Sequence, residues 1–357
     1  MISGTAQAEV LEFGHGSGNL MRDSDQIVLN RVAGFRFANT LLQILPWLFY
    51  VLIISQSNTA VASELAEKFQ SALDAFQKQY GFPGATAAYV LRNGTVGVAA
   101  TGVADLESKT PMTVQSRMLA ASIGKTFVGA TAVALAHEGV LNLDIPISRW
   151  LGKRPWFTRL PKHDAITLRH LLTHTSGLPD HVHLESFAAE LSRKWREKNN
   201  PFPPEDLIRF ILDLPPLFEV GKGWAYTDTG YILVGLVIEK ATQKSYYTVI
   251  TERFLTPLGL TQTTPADRRY LSGLAAGYTS TDNAFGLPRK TTTTQGEMVW
   301  HPGFEWTGGG LVSNSRDLAL WGSALFAGHA MSSTYLKELL NSVPISPETP
   351  DIRYGAG

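Results

Sequence analysis

Ser122 and Lys125 open a run of good helix formers that extends to Glu138 and stops at Gly139, a residue suited to the left-handed position after a helix. Three-residue spacing on a helix puts both side chains on one face. Any fold that keeps this helix therefore sets a hydroxyl and an amine side by side at its start. A free serine is a poor nucleophile until a neighbouring base takes its proton, and an amine partly removed from water can share that task. The positive end of the helix and the Ser122 amide would add half of an oxyanion hole. Ser-x-x-Lys by itself is also a common solvated helix start, so the pair needs company before it means chemistry.

The surrounding pattern predicts a mixed α/β chain. Leu65, Phe69, Leu73 and Phe76 recur at helical spacing before Gly81 and Pro83. Ala85 to Leu91 and Val96 to Val103 flank Asn93-Gly94, a turn pair that tolerates positive φ, and read as an antiparallel hairpin. Further helices are expected at 168–174, 204–213, 229–242, 246–258 and 315–326. An early hairpin, helices in the middle and no regular strand-helix alternation argue for α+β: an antiparallel sheet flanked by helices, plus a mainly helical subdomain of roughly 125–282.

Bulk properties narrow the partners. Hydrophobic residues make up 44% and charged residues 17% of the 357, enough for a full core, and 31 basic residues balance 31 acidic ones. No basic run interleaved with aromatics points to nucleic acid, so a small molecule or peptide is the expected partner. Cysteine is absent, which removes disulfides, thiolate metal sites and cysteine nucleophiles. No cofactor or metal is expected. His170 and His174 have ligand-like spacing, with His181 and His183 nearby, but the glutamate of a His-Glu-x-x-His pair is missing and a structural loop is the expectation.

A second element gives Ser122 its context. Tyr226-Thr-Asp228-Thr-Gly-Tyr231 stands just before an apolar helix, and Leu171-Leu-Thr-His-Thr-Ser-Gly-Leu178 lies between it and Ser122. In this order the strings resemble the signature of the serine β-lactamase and penicillin-binding protein family, which includes class C β-lactamases, D-alanyl-D-alanine carboxypeptidases and related esterases. Leu143-Asp-Ile-Pro146, Phe218-Glu-Val-Gly221, Pro257-Leu-Gly-Leu260 and Gly309-Gly-Leu-Val-Ser313 add to the resemblance, which runs from about Glu64 to the last residue. It implies a serine hydrolase in which Ser122 forms the acyl-enzyme, Lys125 assists and Tyr226 relays the proton, with Lys125 and Tyr226 both open as the base. Asp228 stands where relatives commonly carry asparagine; a carboxylate there would hold Lys125 charged and move the base role toward Tyr226.

The resemblance also leads one to expect a Lys/His-x-Gly strand after a Tyr-Gly-x-Gly segment. Tyr354-Gly-Ala-Gly357 is the last of the sequence, so this third element is expected beyond Gly357. His301-Pro-Gly303 has its letters in the wrong order along the chain. Two other readings compete: an α/β-hydrolase esterase using Ala120-Ala-Ser122-Ile-Gly124 as a nucleophile elbow, which leaves Lys125 without a role, and a penicillin-recognising binding protein without turnover.

At the N-terminus, residues 1–35 read as a non-structural leader, and 36–62 as a signal peptide. Arg31 and Arg36 precede an apolar stretch from Leu41 to Ile54, which leads to Ala60-Val61-Ala62. The stretch is short of a membrane span, so export, with the periplasm as destination and cleavage after Ala62, is expected rather than a retained anchor. The hydrolase domain is then 63–357.

Overall fold

The computed structural model describes residues 63–197, 201–280, 282–283 and 285–357. The leader and the signal segment lie outside them. One compact unit spans Ala66–Gly357. Helix α1, through residues 66–80, leads into the hairpin β1 (Gly84–Val90) and β2 (Val96–Asp105), paired antiparallel with Ala87 opposite Ala99. Gly94 takes the positive φ expected at the turn, whereas Asn93 uses its side chain, accepting the Thr95 N–H at 3.0 Å. Phe69 of α1 meets the Tyr89 ring of β1 edge-on at 4.9 Å, and Gln70 donates to the Ala100 carbonyl of β2, which fixes the helix on the hairpin.

The sheets are small and antiparallel. β3 (Thr110–Pro111) extends the hairpin in the order β1-β2-β3. β4 (Met118–Leu119), just before Ser122, forms a second sheet with β5 (Thr264–Pro265) and β6 (Leu311–Ser313) in the order β4-β6-β5. β7 (Val343–Pro344) and β8 (Arg353–Tyr354) make the third. The expected antiparallel strands and the helical subdomain are thus present, the strands divided among three separate sheets.

Helices occupy the rest: α2 (Gly124–His137), α3 (Ser148–Leu151), α4 (Leu168–Leu172), α5 (Glu185–Lys194), α6 (Pro204–Ile208), α7 (Asp228–Thr242), α8 (Tyr246–Ile250), α9 (Trp306–Gly309), α10 (Ser315–Phe326) and α11 (Ser333–Leu339). Among the described residues no helix is long and apolar enough to cross a membrane. The expected helix 246–258 is α8 followed by one π turn, Thr251–Leu255, and 204–213 is α6 plus a 3-10 turn, Arg209–Ile211.

α2 and α7 are apolar all round because they are buried all round. Every residue from Thr229 to Ile238 is buried, and α2, α3, α4, α6, α8 and α9 lie against α7. α2 is gripped from another side by Trp321 of α10, whose ring stacks on Phe127 at 4.0 Å while its Nε1 donates to Thr126 Oγ1. Phe127 is fully buried. Replacement Phe127→Ala is expected to lower the unfolding free energy by about 3–5 kcal/mol, measured by urea denaturation, since the stacked Trp321 and the helical framework leave the cavity little room to collapse.

Candidate active site

The nucleophile candidate is presented by a strand-to-helix turn. Leu119 pairs with Val312, the Ala120 N–H donates to the Leu311 carbonyl at 2.8 Å, and Ala121 then turns with φ near +47°. A 3-10 turn, Ala121–Ile123, runs directly into α2. Ser122 is left exposed at this corner, while Lys125, one turn on, is 1% exposed.

An ammonium buried so deeply needs a partner for each of its donors. Lys125 Nζ donates to Ser122 Oγ at 3.1 Å, to the Asp228 carboxylate and to the Gly308 carbonyl, and lies 4.8 Å from the centre of the Tyr226 ring. Burial is the largest single influence on its proton affinity and acts downward. The charge of Asp228, with the neighbouring Tyr226 oxygen and the hydrogen bond to Asp228, outweighs it, and the pKa ends above its ordinary value. Lys125 is therefore a held cation.

Tyr226 completes the cluster from the other side. Its hydroxyl donates to Ser122 Oγ at 2.7 Å, across 104 residues of sequence. Asp228 begins α7, where a carboxylate is favoured by the helix dipole, and its own N–H is accepted by Asp180 Oδ1 at 3.2 Å. The structure thus brings Ser122, Lys125, Tyr226 and Asp228 to one place.

The sequence reading missed the third side. Segment 301–310 approaches the start of α2 so closely that a Cβ on Gly309 would collide with the Ala121 carbonyl, and this places the Gly308 carbonyl over Lys125. Gly309-Gly-Leu-Val-Ser313 was visible as a string, but nothing in a string tells which backbone carbonyl points inward. Glu305 sits on the same segment; desolvation, then the charge of Asp228, push its carboxyl up to about 7. His301-Pro-Gly303 is a local cap, His301 Nδ1 accepting the Gly303 N–H at 3.1 Å. Among the histidines, His170 caps α4 through Thr167, His174 accepts from the Thr227 N–H, and His181 bonds Thr229 Oγ1 at 2.8 Å. Each ring is thus engaged in holding a loop or a helix end. No group of side chains arranged to hold a metal ion occurs among the described residues.

The structure sets an exposed serine against a buried lysine and a tyrosine at the start of a helix in a small-sheet α+β fold, the arrangement that the resemblance implies. The chain belongs to the beta-lactamase family, whose model matches residues 69–357. It is 28% identical over 264 residues to penicillin-binding protein 4* of Bacillus subtilis, covering 71% of this chain and 55% of that one. Esterase EstB of Burkholderia gladioli is 31% identical over 206 residues, 56% of this chain and 51% of its own. The chain thus spans about half the length of these curated relatives. Among solved structures, a D-stereospecific amidohydrolase from Streptomyces sp. superimposes with a TM-score of 0.68 at 29% identity, covering 80% of each chain.

Asp180 offers a pH test of the local electrostatics. Burial first, then the charge of Asp228, push its carboxyl up from 3.8 to about 6. The folded state therefore holds a proton that the unfolded chain releases; that contribution is fully present below about 4 and is lost as pH rises through about 6. Both backbone N–H bonds, from Val182 and Asp228, go to Oδ1, so an amide preserves them and stays neutral. Asp180→Asn is expected to gain on the wild type by on the order of 1–3 kcal/mol between about pH 4 and pH 7.5, in urea midpoints measured at both. A constant difference across that range would contradict the assignment.

Proposed function

We propose that this chain hydrolyses acyl bonds through an ester on Ser122, with D-alanyl peptides and similar D-configured amides as the first substrate class, as in a D-alanyl-D-alanine carboxypeptidase, and small esters as the second. The observation that carries the reading is the double contact at an exposed hydroxyl: Tyr226 at 2.7 Å and the Lys125 ammonium at 3.1 Å both reach Ser122 Oγ. With Lys125 held as a cation by Asp228, Tyr226 is the group placed to exchange a proton with Ser122.

Ser122 Oγ bonds to the acyl carbon as its proton passes to the Tyr226 oxygen and the proton which that oxygen carried moves on toward the leaving nitrogen or oxygen. The tetrahedral centre then expels the amine or alkoxide, which takes that proton. Water attacks the ester by the same path reversed, releasing the acid and restoring the Ser122 hydroxyl. Lys125 stabilises the negative charge that moves between these oxygens. The D-stereospecific amidohydrolase supports the amide class, and the esterase relative supports the second. Export belongs to the same proposal, and N-terminal sequencing of secreted protein, expected to begin after Ala62, tests it.

Intact-mass analysis with a fluorophosphonate should show one adduct on the wild type and none on Ser122→Ala. Across D-alanyl peptides, nitrocefin and short-chain esters, Ser122→Ala should lose at least about a thousandfold in kcat, and Tyr226→Phe about 10²–10⁴-fold. Ser122-independent turnover, or preference for long-chain lipid esters, would overturn the proposal.

A further inference from the structure

We propose that His174 is a positioning residue for Tyr226: its Nδ1 and its carbonyl oxygen hold the backbone on both sides of the tyrosine, and its ring forms the wall against which the phenol rests. This inference rests on the function proposed above and adds to it the device that aims the proton-handling group at Ser122.

Tyr226 lies in the link before α7 and is in no regular element, so helix geometry alone does not fix its direction. What holds it is the segment after α4. The Ala225 N–H donates to the His174 carbonyl at 3.0 Å, and the Thr227 N–H donates to His174 Nδ1 at 3.2 Å. One residue thus binds the N–H groups immediately before and after Tyr226. Its ring stands 4.3 Å from the Tyr226 ring, and the rings of Trp224, Tyr231 and Tyr354 surround it at 5.9, 5.2 and 4.7 Å. The same segment continues the grip, with Thr227 Oγ1 donating to the Pro179 carbonyl, the Asp228 N–H to Asp180, and the His181 N–H to Thr229 Oγ1.

His174 carries two burdens that a stability role alone would not require. Its φ is +58°, a left-handed conformation that disfavours side chains other than Asn, Asp and Gly. Its Nε2 is buried with no hydrogen-bond partner. Because Nδ1 accepts from Thr227, the proton must sit on Nε2, so the neutral ring keeps an unsatisfied donor. The surroundings enforce that neutral form: burial, and after it the Lys125 ammonium, hold the His174 pKa down to about 3. A charged ring would lose its acceptor and release Thr227.

The test separates the acceptor from the fold. His174→Gly keeps the left-handed backbone and the carbonyl bond to Ala225 but removes the acceptor and the wall. His174→Asn also tolerates that backbone and places Oδ1 near the position of Nδ1. With the best substrate of the panel, kcat of the glycine variant should fall about 10²–10³-fold with KM within about threefold, and asparagine should recover at least tenfold of that loss. A carbon-13 label at tyrosine Cζ gives a readout independent of turnover: the Tyr226 resonance, assigned with Tyr226→Phe, should shift in the glycine variant and return toward the wild type with asparagine. If the glycine variant lacks a cooperative unfolding transition, His174→Ala, the smallest side chain without an acceptor, replaces it against asparagine under the same criteria. Equal kcat and an unmoved Tyr226 signal in the acceptor-free variant, or no recovery by asparagine, would overturn the proposal. Absence of Ser122-dependent turnover in the wild type would sink the proposed function instead, leaving the resonance to judge His174.

Discussion

The site depends on one buried ammonium. Lys125 is enclosed by α2, α7 and the 306–309 turn, and each of its donors meets an oxygen from a different part of the chain: Ser122, Asp228 and Gly308. Taking away one partner of a buried ion typically costs about 3–5 kcal/mol because the charge left behind is uncompensated. The lysine is therefore structural and electrostatic at once. It ties three segments together, and by staying charged it leaves the serine–tyrosine pair to exchange the proton in the proposed reaction. Asp228 sets this division; an asparagine at this position would leave the ammonium without its counter-charge.

Packing around α2 and α7 explains how the site keeps its geometry. α7 is sheathed on all sides, so Asp228 in its first turn has little freedom, and the Phe127–Trp321 stack with the Trp321–Thr126 bond anchors α2 within two residues of Lys125. The Ser122 corner is held by the Ala120–Leu311 hydrogen bond and by the close approach of Gly309 to Ala121. Both rigid helices begin at the site, which puts the reactive side chains at or beside helix starts.

Much of this was legible because local rules and residue types coincide. Ser122 and Lys125 stood out by their spacing, Tyr226 and Asp228 through the family resemblance of their string, and α10 fills the expected 315–326. α5 escaped notice because its buried apolar anchors are Phe187 and Leu191 in a run otherwise rich in charge. β4, β5 and β6 have two or three residues each, too few for an alternating pattern to show. The Gly308 carbonyl and the two bonds of His174 were invisible for another reason: backbone groups are the same in every residue, and only the fold decides which of them face a ligand or a side chain. The Leu171–Leu178 string was visible, yet its meaning lies in the left-handed His174 and Gly177 that let it run beside 217–229.

The separation of Lys125 from Gly308 along the chain, 183 positions, has a consequence for the order in which the molecule comes into being. Synthesis proceeds from the N-terminus. The serine and lysine emerge early, the tyrosine about a hundred residues later, and the carbonyl that completes the lysine's coordination later still. A nascent chain carrying Ser122, Lys125 and Tyr226 still lacks the oxygen that makes the interior habitable for the ammonium. The site of the proposed reaction is therefore complete only once the segment carrying Gly308 has joined α2 and α7.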